Sequence, residues 1–287
     1  MTRIACIGEA MIELSMNGAE AAVGVAGDTL NTAIYLRRCA PGIEVDYVTC
    51  LGDDPFSDRI EAFIAAEGVG TPAVCRIAGA SPGLYAITTS DAGERSFTYW
   101  RSASAAKRMF ADHDFGFLER YDAIYLSGIS MAILPQDVRL ALIDWLGVSP
   151  ITLIYDSNYR PRLWESTKVA RQITRARWAR AEIALPSIDD EMALFDESAE
   201  AVTARFAITA AKGALKRGAQ GPLALGEPVS QSYPATTNVV DTTAAGDSFN
   251  AGYLGAIFSG KTQAEALMAG HQLAARVVQV RGAIIRQ

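Results

Sequence analysis

The sequence predicts an α/β protein, three layers α/β/α around a mostly parallel central sheet, with a small separate β element. Three observations predict it. Short apolar segments alternate with amphipathic helical ones, the signature of βαβ units. One stretch, 73–101, breaks that rhythm with strands that have no helix between them. A loop of small residues at 241–246 runs straight into a helix, which presents backbone N–H groups to an anion.

In chain order, 4–7, 47–51, 123–127, 152–155 and 183–185 read as strands, each short, apolar and partly β-branched or aromatic. Helical patterns at 28–39, 55–66, 135–146 and 168–179 fall between them. Such alternation implies a parallel sheet covered on both faces, with ligands beyond the carboxyl ends of the strands. At 84–89 and 96–101 two strands flank Ser90-Asp91-Ala92-Gly93-Glu94, a turn-rich link that predicts an antiparallel hairpin. The period of two puts Phe97, Tyr99 and Arg101 on one face of the second strand. That face suits either an amphipathic surface hairpin or a lid over a small polar ligand. From about 195 to 215 the pattern is poor, and Gly213-Ala214-Leu215 is a weak strand candidate. Two helices close the chain. One starts near Asp247 and reaches Phe258; the other follows Thr262, where Glu265 completes a capping box, and runs to about Val280.

A length of 287 residues, 50% of them apolar and 20% charged, suits one globular domain over 1–287 with a sizeable core. Its lid strands are expected mainly from 73–101. The net charge of −6 argues against a sequence-blind grip on nucleic acid, while a local basic pocket for a small anion stays open. Cys6, Cys39, Cys50 and Cys75 have no CxxC spacing and lie in apolar segments, so they read as buried thiols of a reducing compartment. Two histidines, His113 and His271, are too few for a histidine-rich metal site. The first apolar run is too short for a signal peptide, and none has the length of a membrane span. The expected compartment is the cytoplasm, with neither membrane nor nucleic acid as partner.

Several motifs carry chemistry. In Asp241-Thr242-Thr243-Ala244-Ala245-Gly246-Asp247, small residues let amides approach a phosphate, and Asp247 sits where the phosphate would arrive. Asp247 fits a general base for an attacking hydroxyl, and equally an acidic helix cap. Glycines at 24 and 27 lead into a helix with Asp28 and Asn31 on one face. These suit sugar hydroxyls, or capping by Asp28 with Asn31 exposed. Tyr155-Asp156-Ser157-Asn158-Tyr159-Arg160 leaves the carboxyl end of a strand; Arg160 can grip phosphate or carboxylate, or form a surface ion pair. Lys216-Arg217-Gly218-Ala219-Gln220-Gly221 is a glycine turn that suits close approach of a nucleotide, or a plain β-turn. Two matches mislead. Gly255 to Thr262 fits the Walker A pattern but continues a helix and ends at Gly260 and the Thr262 cap. Asp114-Phe115-Gly116 fits the protein-kinase DFG with the rest of that set missing.

Together these residues resemble the PfkB, ribokinase-like family of carbohydrate kinases, in the right order over nearly the whole chain. The C-terminal signature fits 241–254, the glycine motif fits 24–31, and Gly52-Asp53-Asp54-Pro55-Phe56 fits the following segment. Gly27 to Asn31, Tyr99-Trp100-Arg101, Asn158 to Pro161 and Leu163-Trp164 are most similar to members acting on 2-keto-3-deoxy sugar acids. The resemblance implies a ribokinase-like fold and transfer of the ATP γ-phosphoryl to a terminal hydroxyl. It implies Asp247 as base, and the amides of Ala244, Ala245 and Gly246 as anion hole. Gly27, Asp28 and Asn31 would hold sugar hydroxyls, with Tyr85 and Tyr99 closing from the lid. Arg101 and Arg160 would bind the substrate carboxylate. Asn158, Arg160, Lys216, Gly218, Gly221, Gly246 and His271 would border the nucleotide. Mg²⁺ would accompany ATP, and a monovalent cation is left open. The family's N-x-x-E motif falls at Ser187-Ile188-Asp189-Asp190, a departure that assigns no protein metal ligand. A neutral-sugar, fructokinase-like activity and a non-catalytic sensor are the alternatives. The lid edge suits a homo-oligomer.

Overall fold

The computed structural model describes residues 1–89, 95–209 and 211–286. The chain opens with β1 (Arg3–Ile7), the hairpin β2 (Met11–Asn17) and β3 (Glu20–Ala26), and helix α1 (Asp28–Cys39). Then come β4 (Glu44–Leu51), α2 (Pro55–Ala66), β5 (Val74–Arg76) and the pair β6 (Gly83–Thr89) and β7 (Arg95–Trp100). The alternation continues through β8 (Ala123–Ser127), α3 (Gly128–Ile133), α4 (Gln136–Val148), β9 (Thr152–Asp156), α5 (Thr167–Arg180) and β10 (Ile183–Leu185). It ends with α6 (Ile188–Phe195), α7 (Ala199–Ala207), β11 (Lys212–Leu215), β12 (Leu223–Leu225), α8 (Ala245–Phe258) and α9 (Gln263–Val277).

The large sheet has the order β12-β11-β10-β9-β8-β1-β4-β5, parallel except for the antiparallel pair β11–β12. Strand alternation divides its core. Ile4 and Cys6 face a cluster with Leu30, Ile34, Tyr253 and Leu267 of α1, α8 and α9. Ala5 and Ile7 face the opposite cluster, with Leu142, Leu146 and Ile173 of α4 and α5. Both faces are therefore apolar, as a covered parallel sheet requires. The strand order reverses between β1 and β8, and ligands bind at such a switch point.

The lid is a separate four-stranded sheet, β3-β2-β6-β7. The hairpin strands expected at 84–89 and 96–101 supply two of its strands; their link at 90–94 lies outside the described residues. The other two come from 11–26, while 74–76 joins the large sheet instead. Glu13, Ser15, Asn17 and Gly18 interrupt any apolar run there, which hides a strand half exposed to solvent from a hydrophobicity reading.

The poorly patterned segment also folds regularly. Ser198 caps α7 through the Ala201 amide, and Val202 and Phe206 bury its inner face. The weak candidate at 213–215 is the interior strand β11, and Gly213 is the reason it fits. Its φ is +151°, and a Cβ there would lie 1.8 Å from the Ala184 carbonyl oxygen of β10. Gly213→Ala is expected to lose about 2–3 kcal/mol of stability, read as a drop in the denaturation midpoint.

The Walker-like match is inside α8 and its exit: Gly260 has φ +77°, and Thr262 and Glu265 form the capping box of α9. Phe115 is a core residue, and exposed His113 lies 3.4 Å from Asp137. The cysteine expectation is half corrected. Cys6 and Cys50 are buried, but Cys39 and Cys75 are exposed, because Cys39 ends a helix and Cys75 lies on the edge strand β5. Among the described residues no helix is long and apolar enough to cross a membrane.

Candidate active site

The Gly27 backbone runs so close to the link between β1 and β2 that a Cβ there would lie 2.2 Å from the Glu9 carbonyl oxygen. That approach brings the first turn of α1 over the carboxyl ends of β8 and β9. Asp28 there accepts from Ser127 Oγ at 2.5 Å and from Asn158 Nδ2 at 2.7 Å. One turn on, Asn31 Nδ2 donates to Asp247 Oδ2 at 2.8 Å. Asn31 is buried rather than exposed.

Asp247 lies in the first turn of α8, not at its cap. The cap is Ala244, held left-handed at φ +59° without a side-chain bond, a strained state for a residue with a Cβ. The carboxylate of Asp247 therefore reaches across to α1 instead of satisfying its own helix. Of the three amides expected as an anion hole, those of Ala244 and Gly246 have no backbone acceptor among the described residues. The Ala245 amide already donates to the Thr242 carbonyl at 3.2 Å. Among the described residues the amides of Gly246 and Asp247, in the first turn of the helix, also have no backbone acceptor.

Burial pushes the Asp247 carboxyl up to about 8. The charge of Asp28 adds to that rise, as does Asp156, while the Asn31 bond and the Lys216 ammonium pull it back. Asp28 is also raised, chiefly by burial. Lys216 leaves β11 and places its ammonium 2.7 Å from Asp156 Oδ1 and 3.1 Å from Asn250 Oδ1. A Cβ on Gly246 would lie 3.7 Å from Lys216 Nζ, so the cation stands beside the free amides.

Gly218 and Gly221 make the turn between β11 and β12, with φ of +55° and +76°. Gly221 lies against the Tyr233 ring, which lies 5.2 Å from the His271 ring. His271 Nε2 also meets the Pro234 carbonyl at 2.7 Å. With Pro234, Thr236, Gly252 and Arg276 it lines a cavity of about 860 Å³. Asn158, expected to border the nucleotide, gives its amide to Asp28.

On the lid, the rings of Tyr85 and Tyr99 stand 5.5 Å apart, and the Tyr85 hydroxyl donates to Glu13. Arg101 follows β7 and pairs through one nitrogen with Glu9, which is 1% exposed. Its other N–H groups have no acceptor among the described residues. Arg160 is largely exposed; it donates to the Tyr159 carbonyl at 2.8 Å and lies 3.6 Å from Asp190. Among the described residues no contact joins it to Arg101.

Glu9, Ser127, Asp156, Asp190 and Asn250 were not singled out as site residues from the sequence. Two signals were present. Asp156 ends a strand at the ligand edge of the sheet, and Asn250 follows Asp247 by three on one helix face. Among the described residues no group of three or more His, Cys, Asp or Glu is gathered to hold a metal by itself.

The whole chain, residues 1–287, matches the model of the pfkB family carbohydrate kinases. It is 42% identical to a 2-dehydro-3-deoxygluconokinase of Dickeya dadantii, covering 98% of this chain and 96% of that protein. It is 41% identical to the 2-dehydro-3-deoxygluconokinase of Escherichia coli K12, covering 99% and 97%. A crystal structure of a PfkB protein from Polaromonas sp. JS666 superposes with a TM-score of 0.83 at 27% identity, covering 97% and 96%. A carboxylate beside free helix amides and a fixed ammonium, on a ribokinase-like sheet, is what phosphoryl transfer to a sugar asks of a protein, and the chain belongs to the pfkB family of carbohydrate kinases.

Proposed function

We propose that the chain transfers the γ-phosphoryl of ATP to the terminal hydroxyl of 2-keto-3-deoxygluconate. The observation that carries this reading is Arg101, a guanidinium just past the lid strand β7 that pairs with buried Glu9 and whose other N–H groups have no acceptor among the described residues. A neutral sugar gives such a group only uncharged oxygens to bind. A keto-deoxy acid offers it a carboxylate. The names of relatives 40–42% identical over nearly the whole chain support the same substrate.

In this mechanism Asp28 and Asn31 bind sugar hydroxyls, and Tyr85 and Tyr99 cover the ring and exclude water. Asp247 takes the proton of the terminal hydroxyl as its oxygen forms a bond to the γ-phosphorus. The bond from that phosphorus to the β,γ-bridging oxygen breaks, and ADP leaves with the electron pair. The Gly246 and Asp247 amides and Lys216 stabilise charge on the transferring oxygens. His271, Gly218 and Gly221 border the nucleotide. A Mg²⁺ bound with ATP would supply charge neutralisation on the phosphates, and among the described residues no cluster is gathered to hold it by protein ligands alone.

Phosphate transfer to 2-keto-3-deoxygluconate, fructose and ribose separates the alternatives. The acid is expected to exceed either neutral sugar by about 100-fold or more in kcat/KM. Preference for fructose would sink the carboxylate reading, and no transfer to any sugar would favour a sensor. Exposed Tyr99 and Trp100 on the lid support self-association there, which light scattering of wild type and Trp100→Ser would test.

A further inference from the structure

Asp156 takes no part in the steps above, yet it is 2% exposed and both its oxygens are occupied. Oδ1 accepts from Lys216 Nζ at 2.7 Å. Oδ2 accepts from Asn250 Nδ2 at 2.8 Å and from the Tyr125 hydroxyl at 3.2 Å. Asn250 closes the ring: its Oδ1 accepts from Lys216 at 3.1 Å, and its Nδ2 also lies 2.9 Å from the Tyr125 oxygen. Tyr125 in turn meets the Thr32 hydroxyl at 3.3 Å, and that hydroxyl lies 3.3 Å from the Asp247 carbonyl. Asp156 of β9 and Asn250 of α8 thus converge on one ammonium, and Tyr125 of β8 braces both.

A buried carboxylate is costly unless paired, and one beside an ATP site also repels phosphate. Pairing with Lys216 offsets both costs. What the pairing achieves is placement. A lysine ammonium is a point charge on a flexible stem whose rotamer freedom works against a fixed position. Two acceptors hold this one before any substrate arrives, and one of its N–H groups remains for a ligand.

We propose that Asp156 is a positioning residue, holding the Lys216 ammonium beside the Gly246 and Asp247 amides so that the charge meets the transferring phosphoryl group. The inference deepens the kinase reading and rests on it. Asp156 bears on the transferring phosphoryl group through Lys216, and its charge also raises the Asp247 carboxyl. Removing it therefore harms chemistry more than binding, and harms nothing further once Lys216 is gone.

The test uses the full chain with Mg-ATP and 2-keto-3-deoxygluconate, on D156N, K216M and the double variant, with melting temperatures alongside. K216M is expected to lower kcat by about 100–1,000-fold, the scale for losing one charge-stabilising donor. D156N is expected to lower kcat by about 30-fold or more with the sugar KM within about threefold, and the double variant to match K216M. The acid limb of kcat/KM adds a readout that a structural role would not produce. Asp247 is faced by Asp28, Asn31 and Tyr35 of α1, Tyr125 of β8, Asp156 of β9 and Lys216 of β11. Removing the Asp156 charge moves the limb to lower pH, and removing Lys216 moves it to higher pH.

If D156N fails to fold, N250A takes its place; it removes the second acceptor, and its loss of kcat must also vanish in the K216M background. Losses that multiply in the double variant overturn the proposal, as does a D156N effect on KM alone. Full kcat in K216M beside an inactive D247N overturns it while the kinase reading stands. Full activity in D247N instead overturns the reading of the base.

Discussion

Asp247→Asn is expected to lower kcat by about 1,000–10,000-fold while the protein folds normally, because a general base typically contributes that much. Asn keeps the shape of the side chain and loses only the proton acceptor. Retained turnover above about a tenth of wild type would remove Asp247 from the role. The pH profile gives a second check. The base works ionised, and burial pushes its carboxyl up to about 8. In the wild type kcat/KM should therefore fall tenfold per pH unit below about 8. Stability runs the other way. The folded value lies above the ordinary 3.8, so the folded state holds the proton more tightly. Asp247 thus favours folding at low pH, and its contribution is lost as pH rises through about 8. Asp247→Asn removes that penalty, so its melting temperature at pH 8 should equal or exceed that of wild type.

Arg101→Ala is expected to cost about 100-fold or more in kcat/KM for 2-keto-3-deoxygluconate, the worth of a charge-assisted hydrogen bond to a carboxylate. Fructose should lose less than about threefold, because it presents no carboxylate to leave unpaired. Equal losses for both substrates would place Arg101 in lid packing instead. The same substitution strands Glu9, whose carboxyl burial already raises while Arg101 holds it down. Without the guanidinium Glu9 rises further, and ionising it opposes folding. The stability loss should therefore be larger at pH 8 than at pH 5 in thermal melts.

Glu9 also shows why parts of the site escaped the sequence. A lone acid at the end of a first strand has no local pattern; its meaning comes from a guanidinium 92 residues away. Asn31 and Asp247 are separated by 216 residues and meet at 2.8 Å. Asp156 and Lys216 are 60 apart. Spacing rules reach one or two helical turns and see none of these pairs. The lid divides the same way: Leu84 to Thr89 alternates legibly, while 11–26 carries its strand pairing against β6 rather than in its own composition. Gly213 reads as a strand breaker in isolation, yet it is the residue that lets β11 lie against Ala184.

By itself the sequence determined what is local or periodic: the α/β alternation, the hairpin strands, the capped helices and the loop that delivers Asp247 to a helix start. Backbone geometry repeats over a few residues, so side-chain patterns of the same period expose it. Only the tertiary structure decided which amides stay free, which cation stands beside them and which acid holds Arg101. Those are contacts between strand ends brought together by sheet order. Burial then sets the charge state of each group, and burial is a property of the assembled fold rather than of any segment.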